Sequence, residues 1–270
     1  MFKFSLVVTP QQAKFEAVAK GDPRKIVSLL SELGYDGVEY SVIDPEILPE
    51  LTEIALDRGL SVPAVGTGLN YVHLGLDLTS PDENIREKAL KRLQDFIRYA
   101  GKAGVGGVII GLIRGRGEAY NTPEKALDML AHKVASLCKE ANDTGVKLFL
   151  EPLNRYESKL INTVGEGLAF LQKVDCPSLY LLLDTFHMNI EEPVIEDSIR
   201  LAGEKIGHFH VADSNRLAPG MGHLDFSSIL VALRDAGYSG FVSAEVIIKP
   251  DLETTARLTL NTLKIASSHY

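Results

Sequence analysis

The chain has 270 residues, 45% of them hydrophobic and 24% charged, a balance that excludes disorder for the chain as a whole. Its formal net charge of −8 runs against a dedicated nucleic-acid or anionic-membrane binder. With two well-separated cysteines, Cys138 and Cys176, and no CxxC pair, a cysteine-based zinc site is excluded as well.

In chain order, strands and helices alternate. An apolar strand over residues 3–8 precedes a helix over 23–33, which Asp22 caps, Pro23 opens and Gly34 ends. A strand over 37–40 leads to a helix over 45–58, framed in the same way by Asp44, Pro45 and Gly59. A strand over 62–66 precedes a helix over 81–103, where Ser80 and Glu83 form a capping box. A strand over 107–111 is followed by a helix over 123–144 between Thr122 and Gly145. A strand over 147–151 precedes a helix over 163–174 that opens on Thr163 and Glu166. Strands over 179–184, 207–211 and 241–245 are followed by helices over 194–202, 226–236 (Asp225 cap, Gly237 stop) and 252–267.

The strands are short, nearly continuous apolar runs, as expected of parallel strands covered on both faces. Eight strand–helix units of about 34 residues each predict a single closed (β/α)8 TIM barrel spanning residues 1–270, with its active site at the C-terminal ends of the strands. No P-loop is present, and Gly66-Thr67-Gly68 lacks a third glycine and a helix to open, so it fails as a dinucleotide fingerprint. Residues 1–10 have no signal-peptide pattern, and no apolar run reaches about 18 residues. The expectation is a cytoplasmic protein with both cysteines reduced.

In such a barrel each strand end matters. The fifth strand ends at Glu151, the sixth at Asp184, the seventh at His210 and the eighth at Glu245, at separations of 33, 26 and 35 residues. Four consecutive strands thus each bring one ligand-type side chain to the same ring. Three carboxylates facing one another without a partner would repel, and a divalent cation removes that cost. The donor set suits Mn2+ or Co2+, with Mg2+ the next choice. His208 shares the parity of His210 but lies deeper, and reads as a lower-layer barrel residue. His187, in the loop three residues past Asp184, can reach the same ring. His73, His132, His223 and His269 read as structural or surface residues, although His73 follows the third strand.

Glu151 and Glu245 sit across the ring from each other. Two carboxylates on opposite faces of a substrate, one to abstract and one to donate a proton, are what inversion at a carbon next to a carbonyl requires, through a metal-stabilised cis-enediolate.

The segments 151–157 (Glu-Pro-Leu-Asn-Arg-Tyr-Glu), 184–188 (Asp-Thr-Phe-His-Met), 208–216 (His-Phe-His-Val-Ala-Asp-Ser-Asn-Arg) and 219–226 (Pro-Gly-Met-Gly-His-Leu-Asp-Phe), with Glu245, resemble the D-tagatose 3-epimerase group, ketose 3-epimerases of the xylose-isomerase-like barrel superfamily. The likeness covers essentially the whole chain. It implies Glu151, Asp184, His210 and Glu245 as metal ligands and Glu151 with Glu245 as the acid/base pair. It also implies Glu157, His187 and Arg216 as substrate contacts, a small-molecule sugar as partner, and a homo-oligomer, dimer or tetramer. The substrate is left open by the loops after the first four strands. If Arg114 or Arg116 faces inward it could pair a carboxylate, which would make a keto-sugar acid as plausible as a neutral ketose. The same chemistry would serve a hydroxypyruvate isomerase or an inosose dehydratase. An endonuclease IV-type repair enzyme needs more histidines at the earlier strand ends, and a non-catalytic sugar-binding barrel has no use for two glutamates on one metal.

Overall fold

Side chains alternate along a strand, so a strand closed into a barrel must supply two different faces. The outward face here is aliphatic and packs under the helices; the inward face is mixed. In the computed structural model, which describes residues 2–120 and 122–268, the strands are β1 (Lys3–Thr9), β2 (Ala19–Lys20), β3 (Gly37–Ser41), β4 (Val65–Gly66), β5 (Gly107–Ile110), β6 (Lys147–Leu150), β7 (Leu179–Asp184), β8 (Ile206–Val211) and β9 (Phe241–Ala244). All pair in parallel, and β9 pairs with β1, so eight strands close into a barrel while the two-residue β2 flanks β1. His269 lies outside the described residues.

The helices are α1 (Pro23–Leu33), α2 (Leu48–Leu56), α3 (Gly68–Leu74), α4 (Glu83–Ala103), α5 (Pro123–Thr144), α6 (Val164–Val174), α7 (Thr185–Glu191), α8 (Ile195–Ala202), α9 (Phe226–Asp235) and α10 (Leu252–Ser268). None of them is long and apolar enough to cross a membrane. Leu6, Val38, Val65, Val108, Leu148, Leu181, Phe209 and Val242 face outward into one core shared with helix residues such as Leu30, Leu93, Leu137 and Leu263. Inside the barrel a second, smaller cluster of Ala64, Ile109, Phe149 and Leu182 fills the floor.

The expected capping holds where the side chain is free to turn. Asp22 accepts from the Arg24 N–H at 2.9 Å, and Thr163 and Glu166 form the reciprocal capping box. Elsewhere the ends shift. Asp44 pairs with Arg92 at 2.9 Å instead of capping, and residues 45–58 break into a 3-10 turn (Pro45–Ile47) followed by α2. α4 begins two residues later than expected, capped by Asp82, whose own N–H donates to Ser80. β4 is only two residues long because Pro63, with no N–H, cannot extend the ladder.

Three short elements go beyond the expected set: β2, α3 and α7. Gly68 does open a helix, contrary to the reading of that segment as non-helical, and His187 lies on α7 and not in a loop. Both helices have seven residues and show no full amphipathic period. The cysteines also depart from expectation. Cys138 of α5 and Cys176, in the turn before β7, are joined by a disulfide with their Cα atoms 5.9 Å apart. A separation of 38 residues without a motif leaves that contact invisible until α5 packs beside α6.

The floor depends on glycine where Phe149 lies flat. A methyl group on Gly207 would stand 2.7 Å from Phe149 Cε1. Gly207→Ala is therefore expected to cost about 1–3 kcal/mol through overpacking, read as a lowered urea midpoint; an unchanged midpoint would contradict this packing.

Candidate active site

The inward parity set by the floor carries up each strand. Phe149 faces in, so Glu151 does; Leu182 brings Asp184, His208 brings His210, and Ser243 brings Glu245. The backbone ladder continues past the strand ends to fix the two glutamates: Glu151 N–H donates to the Ile110 carbonyl at 3.3 Å, and Glu245 N–H to the Val211 carbonyl at 3.2 Å. Asp184 lies directly beside His210 across the β7–β8 ladder. As a result, ligand atoms of Glu151, Asp184, His210 and Glu245 all lie within 4.8 Å of one another. The four side chains expected to converge do so.

Two observations bear on what could occupy the centre. Asp184 Oδ2 and His210 Nδ1 are buried and have no protein partner. The carboxyls are also hard to ionise as they stand. Burial, and then the charge of Glu245, pushes Glu151 well above the carboxylate range. Burial likewise raises Asp184 and Glu245, against the lowering influence of Arg216. Crowded carboxyls with lone pairs aimed at one point, and one bare imidazole nitrogen, fit a divalent cation. Gly111 makes room for the group, since a Cβ there would stand 2.6 Å from Glu151 Oε2.

His187, at the N-terminal end of α7, reaches over the centre. Its Nδ1 accepts from the Asn154 backbone N–H at 3.3 Å and lies 2.8 Å from the Asn154 amide nitrogen. That leaves the hydrogen on Nε2, which lies 3.7 Å from Glu151 Oε1 and 3.9 Å from Asp184 Oδ2. Burial, then the nearby charge of Arg216, holds the imidazolium well below its usual range, so His187 is a neutral donor.

Arg216 ties the mouth together. Nη1 donates to Glu157 Oε1 at 3.0 Å and Nη2 to Glu245 Oε2 at 2.8 Å. The guanidinium lies between the rings of Phe186 and Phe15, at 4.5 and 5.1 Å. Its backbone has φ of 62°, a left-handed conformation held by its N–H on Asp213 O and its carbonyl under Ile247 N–H, both 2.8 Å. The Asp213 carboxylate organises this loop by accepting from the N–H groups of Ser214, Gly220 and Leu224. Burial would weaken the Arg216 charge, but Glu245, Asp184 and Glu157 raise it further.

The cavity above the centre is lined by Glu39, Ser41, Thr67, Glu151, Glu157, His187, His210, Arg216 and Glu245 together with Val7, Phe15, Leu69, Val72, Ile109 and Leu112. Neither Arg114 nor Arg116 is on this wall. Arg114 is fully buried behind it, donating through Nη1 to the Glu151 carbonyl and through Nη2 to the carbonyls of Leu160 and Ile161 at 2.7 and 3.0 Å. Burial lowers it to about 10, so it remains a cation at neutral pH. Arg114 is drawn inward because the loop from Glu151 to Ile161 turns three buried carbonyls toward it, two of which it shares with Ser158 Oγ and the Leu153 N–H. Arg116 lies with its guanidinium 5.8 Å over the Tyr71 ring. His73 accepts from Lys14 N–H and is also off the wall.

Four participants were missed. Glu39 is a carboxylate embedded in an apolar strand at inward parity, a signal in plain sight. Asn154 lies in the segment 151–157 but gained no role there. Phe15 and Phe186 gave no sign, because which ring would flank a guanidinium depends on how two loops fold back.

Residues 27–265 match the family model described as xylose isomerase-like TIM barrel. Over 237 residues the chain is 31% identical to the L-ribulose 3-epimerase of Mesorhizobium japonicum, covering 84% of this chain and 76% of that protein. Over 250 residues it is 34% identical to the D-psicose 3-epimerase of Ruminiclostridium cellulolyticum, covering 88% and 82%. The solved structure of an L-ribulose 3-epimerase superimposes with a TM-score of 0.85 at 27% identity, covering 99% of this chain and 95% of that one.

Arg114 clamps both ends of the loop that carries Glu151, Asn154 and Glu157. Arg114→Met removes three buried hydrogen bonds to the loop carbonyls and is expected to lower stability by about 2–4 kcal/mol. A loss below about 1 kcal/mol in chemical denaturation would show that the clamp is not structural.

Proposed function

The chain belongs to the xylose isomerase-like TIM barrel family and stands with its ketose 3-epimerases, which makes it an isomerase, and we propose that it inverts C3 of a neutral ketose with Glu151 and Glu245 as the proton-transferring pair. The observation that carries this reading is the convergence of Glu151, Asp184, His210 and Glu245 with their buried lone pairs free.

Those four residues would hold one divalent cation, Mn2+ or Co2+ before Mg2+ given three carboxylates and one imidazole. When bound, the cation supplies Lewis-acid stabilisation of negative charge on the substrate oxygens next to C3. The protein does the rest. Glu151 and Glu245 come from β6 and β9, on different sides of the ring, so one can remove the C3 proton while the other returns a proton to the opposite face. The tie to Arg216 keeps one Glu245 oxygen turned away and leaves the other to act. His187 offers its Nε2–H to an oxygen held between it and Glu151. Glu157, oriented by Arg216 and by the Asn154 amide at 3.2 Å, accepts from a hydroxyl further along the sugar.

The wall favours an uncharged substrate. Arg216 is the one arginine or lysine lining the cavity among the described residues, and both its Nη atoms are already bound to carboxylates. A phosphate or carboxylate on the substrate would find no free guanidinium or ammonium, and it would face Glu157 across a wall of apolar side chains and hydroxyls. With Arg114 behind that wall, a keto-sugar acid loses its support.

In D2O, the metal-loaded protein is expected to exchange the C3 hydrogen of a neutral ketose, read by NMR across a panel of D- and L-ketoses. Glu151→Gln and Glu245→Gln should each lower that exchange by about 100-fold or more with the fold intact; parent-level exchange in either would remove the pair from the chemistry. Stripping the cation with a chelator should stop exchange and Mn2+ should restore it. For the substrate class, kcat/KM for a phosphorylated ketose should fall about 100-fold or more below its neutral parent, since a buried anion without a partner costs several kcal/mol. Equal turnover of the two would overturn the neutral-substrate reading.

A further inference from the structure

Glu39 lies inside the barrel, on the cavity wall beside the proposed centre. It comes from β3, whereas His208 and His210 come from β8, and these strands are not neighbours in the sheet. The carboxylate therefore reaches across the lumen. Its Oε2 lies 2.7 Å from His208 Nε2, and Oε1 and Oε2 lie 3.0 and 3.2 Å from His210 Nε2. Glu39 is 1% exposed, and both histidines are equally enclosed. A buried carboxylate that meets two imidazoles is held by them as much as it holds them.

We propose that Glu39 is a positioning residue that fixes the tautomer and aim of His210. The inference rests on the reading of His210 as a cation ligand. An ionised carboxylate accepts hydrogen bonds and donates none, so each facing Nε2 must carry a hydrogen. The only nitrogen His210 then has left for a cation is Nδ1, the atom found buried and without a partner. Without Glu39 the ring is free to turn over or to carry its proton on Nδ1, and either change removes the lone pair from the centre. His208 is a second partner of Glu39 and not a ligand. Its ring stacks on Phe149 at 5.3 Å and meets His210 edge-on at 5.2 Å, while both Glu39 oxygens reach His210 Nε2 without its help.

The test is Mn2+ binding, followed by electron paramagnetic resonance and calorimetry with no substrate present. Glu39→Gln presents one acceptor and one donor in place of two acceptors, so one of the two imidazoles must change tautomer. The expected result is a Kd for Mn2+ raised about 10–100-fold. The visible spectrum of the Co2+-loaded protein should also change, and kcat should recover in part at saturating metal with KM for the ketose unchanged. His208→Phe leaves the Glu39–His210 pair in place and should keep the Mn2+ Kd within about threefold of the parent. An unchanged Kd in Glu39→Gln overturns the proposal, and so does an equal loss in His208→Phe, because a general loosening of the barrel would then explain both. If Glu39→Gln fails to fold, Glu39→Asp, one methylene too short to meet both rings, must show the same direction of change, and parent affinity in it overturns the proposal. A parent protein that binds no Mn2+ at all would instead remove the cation-site reading on which this one rests.

Discussion

The controlling constraint in this molecule is electrostatic: three carboxyls and an imidazole are brought to one buried point at the C-terminal ends of the barrel strands. Burial raises Glu151, Asp184 and Glu245 toward their neutral forms, and Glu245 adds to the effect at Glu151. Of the three carboxyls, Arg216 bonds only Glu245; His187 is a neutral donor, and Arg114 stands behind the wall with both its Nη atoms on backbone carbonyls. A chain built for stability alone would not gather these charges. The surrounding features follow as ways of making the arrangement hold: ladder bonds at the strand ends, an arginine shared between two glutamates, and a clamp on the loop that carries a third.

That dependence explains which parts were legible in the sequence. A (β/α)8 barrel repeats its geometry every unit, so the end of each strand is a known place, and Glu151, Asp184, His210 and Glu245 could be read from spacing and parity alone. The helix faces and the caps Asp22, Thr163 and Asp225 were legible for the same reason, because they depend on a few neighbouring residues. What escaped was set by contacts across the fold. Glu39 was visible as a carboxylate in an apolar strand, but its partners are 169 and 171 residues away and on a strand that is not its neighbour. Arg114 was read as a rim residue because its loop follows a strand; the carbonyls that draw it inward belong to another loop. The cysteine pair was read as reduced since neither spacing nor motif brings α5 to the turn before β7. The short helices α3 and α7 lack the length over which an apolar stripe can show.

The mouth of the cavity illustrates how one side chain can serve several requirements. Arg216 sits in a left-handed backbone conformation that a residue with a Cβ seldom takes, and the cost is borne by the hydrogen bonds of its own backbone and by the Asp213 carboxylate that shapes the loop. In return its guanidinium plane lies between Phe15 and Phe186, which leaves its edge pointing at Glu157 and Glu245. Lysine could reach the same place but could not bond two carboxylates at fixed angles while stacked on both faces. The consequence for recognition is direct: the positive charge at the mouth is committed to orienting acids and is not available to a charged substrate.

The barrel interior shows what fixing such a centre demands of a fold. A barrel of this kind is ordinarily filled by layers of branched aliphatic side chains. Here the floor is apolar, with Ala64, Ile109, Phe149 and Leu182, but the layer above it is given to Glu39, His208 and the hydroxyls of Ser5 and Ser243. Replacing a buried aliphatic layer with a carboxylate, an imidazole and hydroxyls lowers stability unless every polar atom is met. The chain offsets this outside the barrel, where the strands' other faces and the helices bury one extended aliphatic core. The two faces of each strand are thus assigned different tasks: the outward residues hold the barrel closed, and this frees the inward ones to be chosen for where they hold His210 and the carboxylates. The contacts of Glu39 fall on the Nε2 edge of the His210 ring, which leaves Nδ1 turned to the centre without a partner among the described residues.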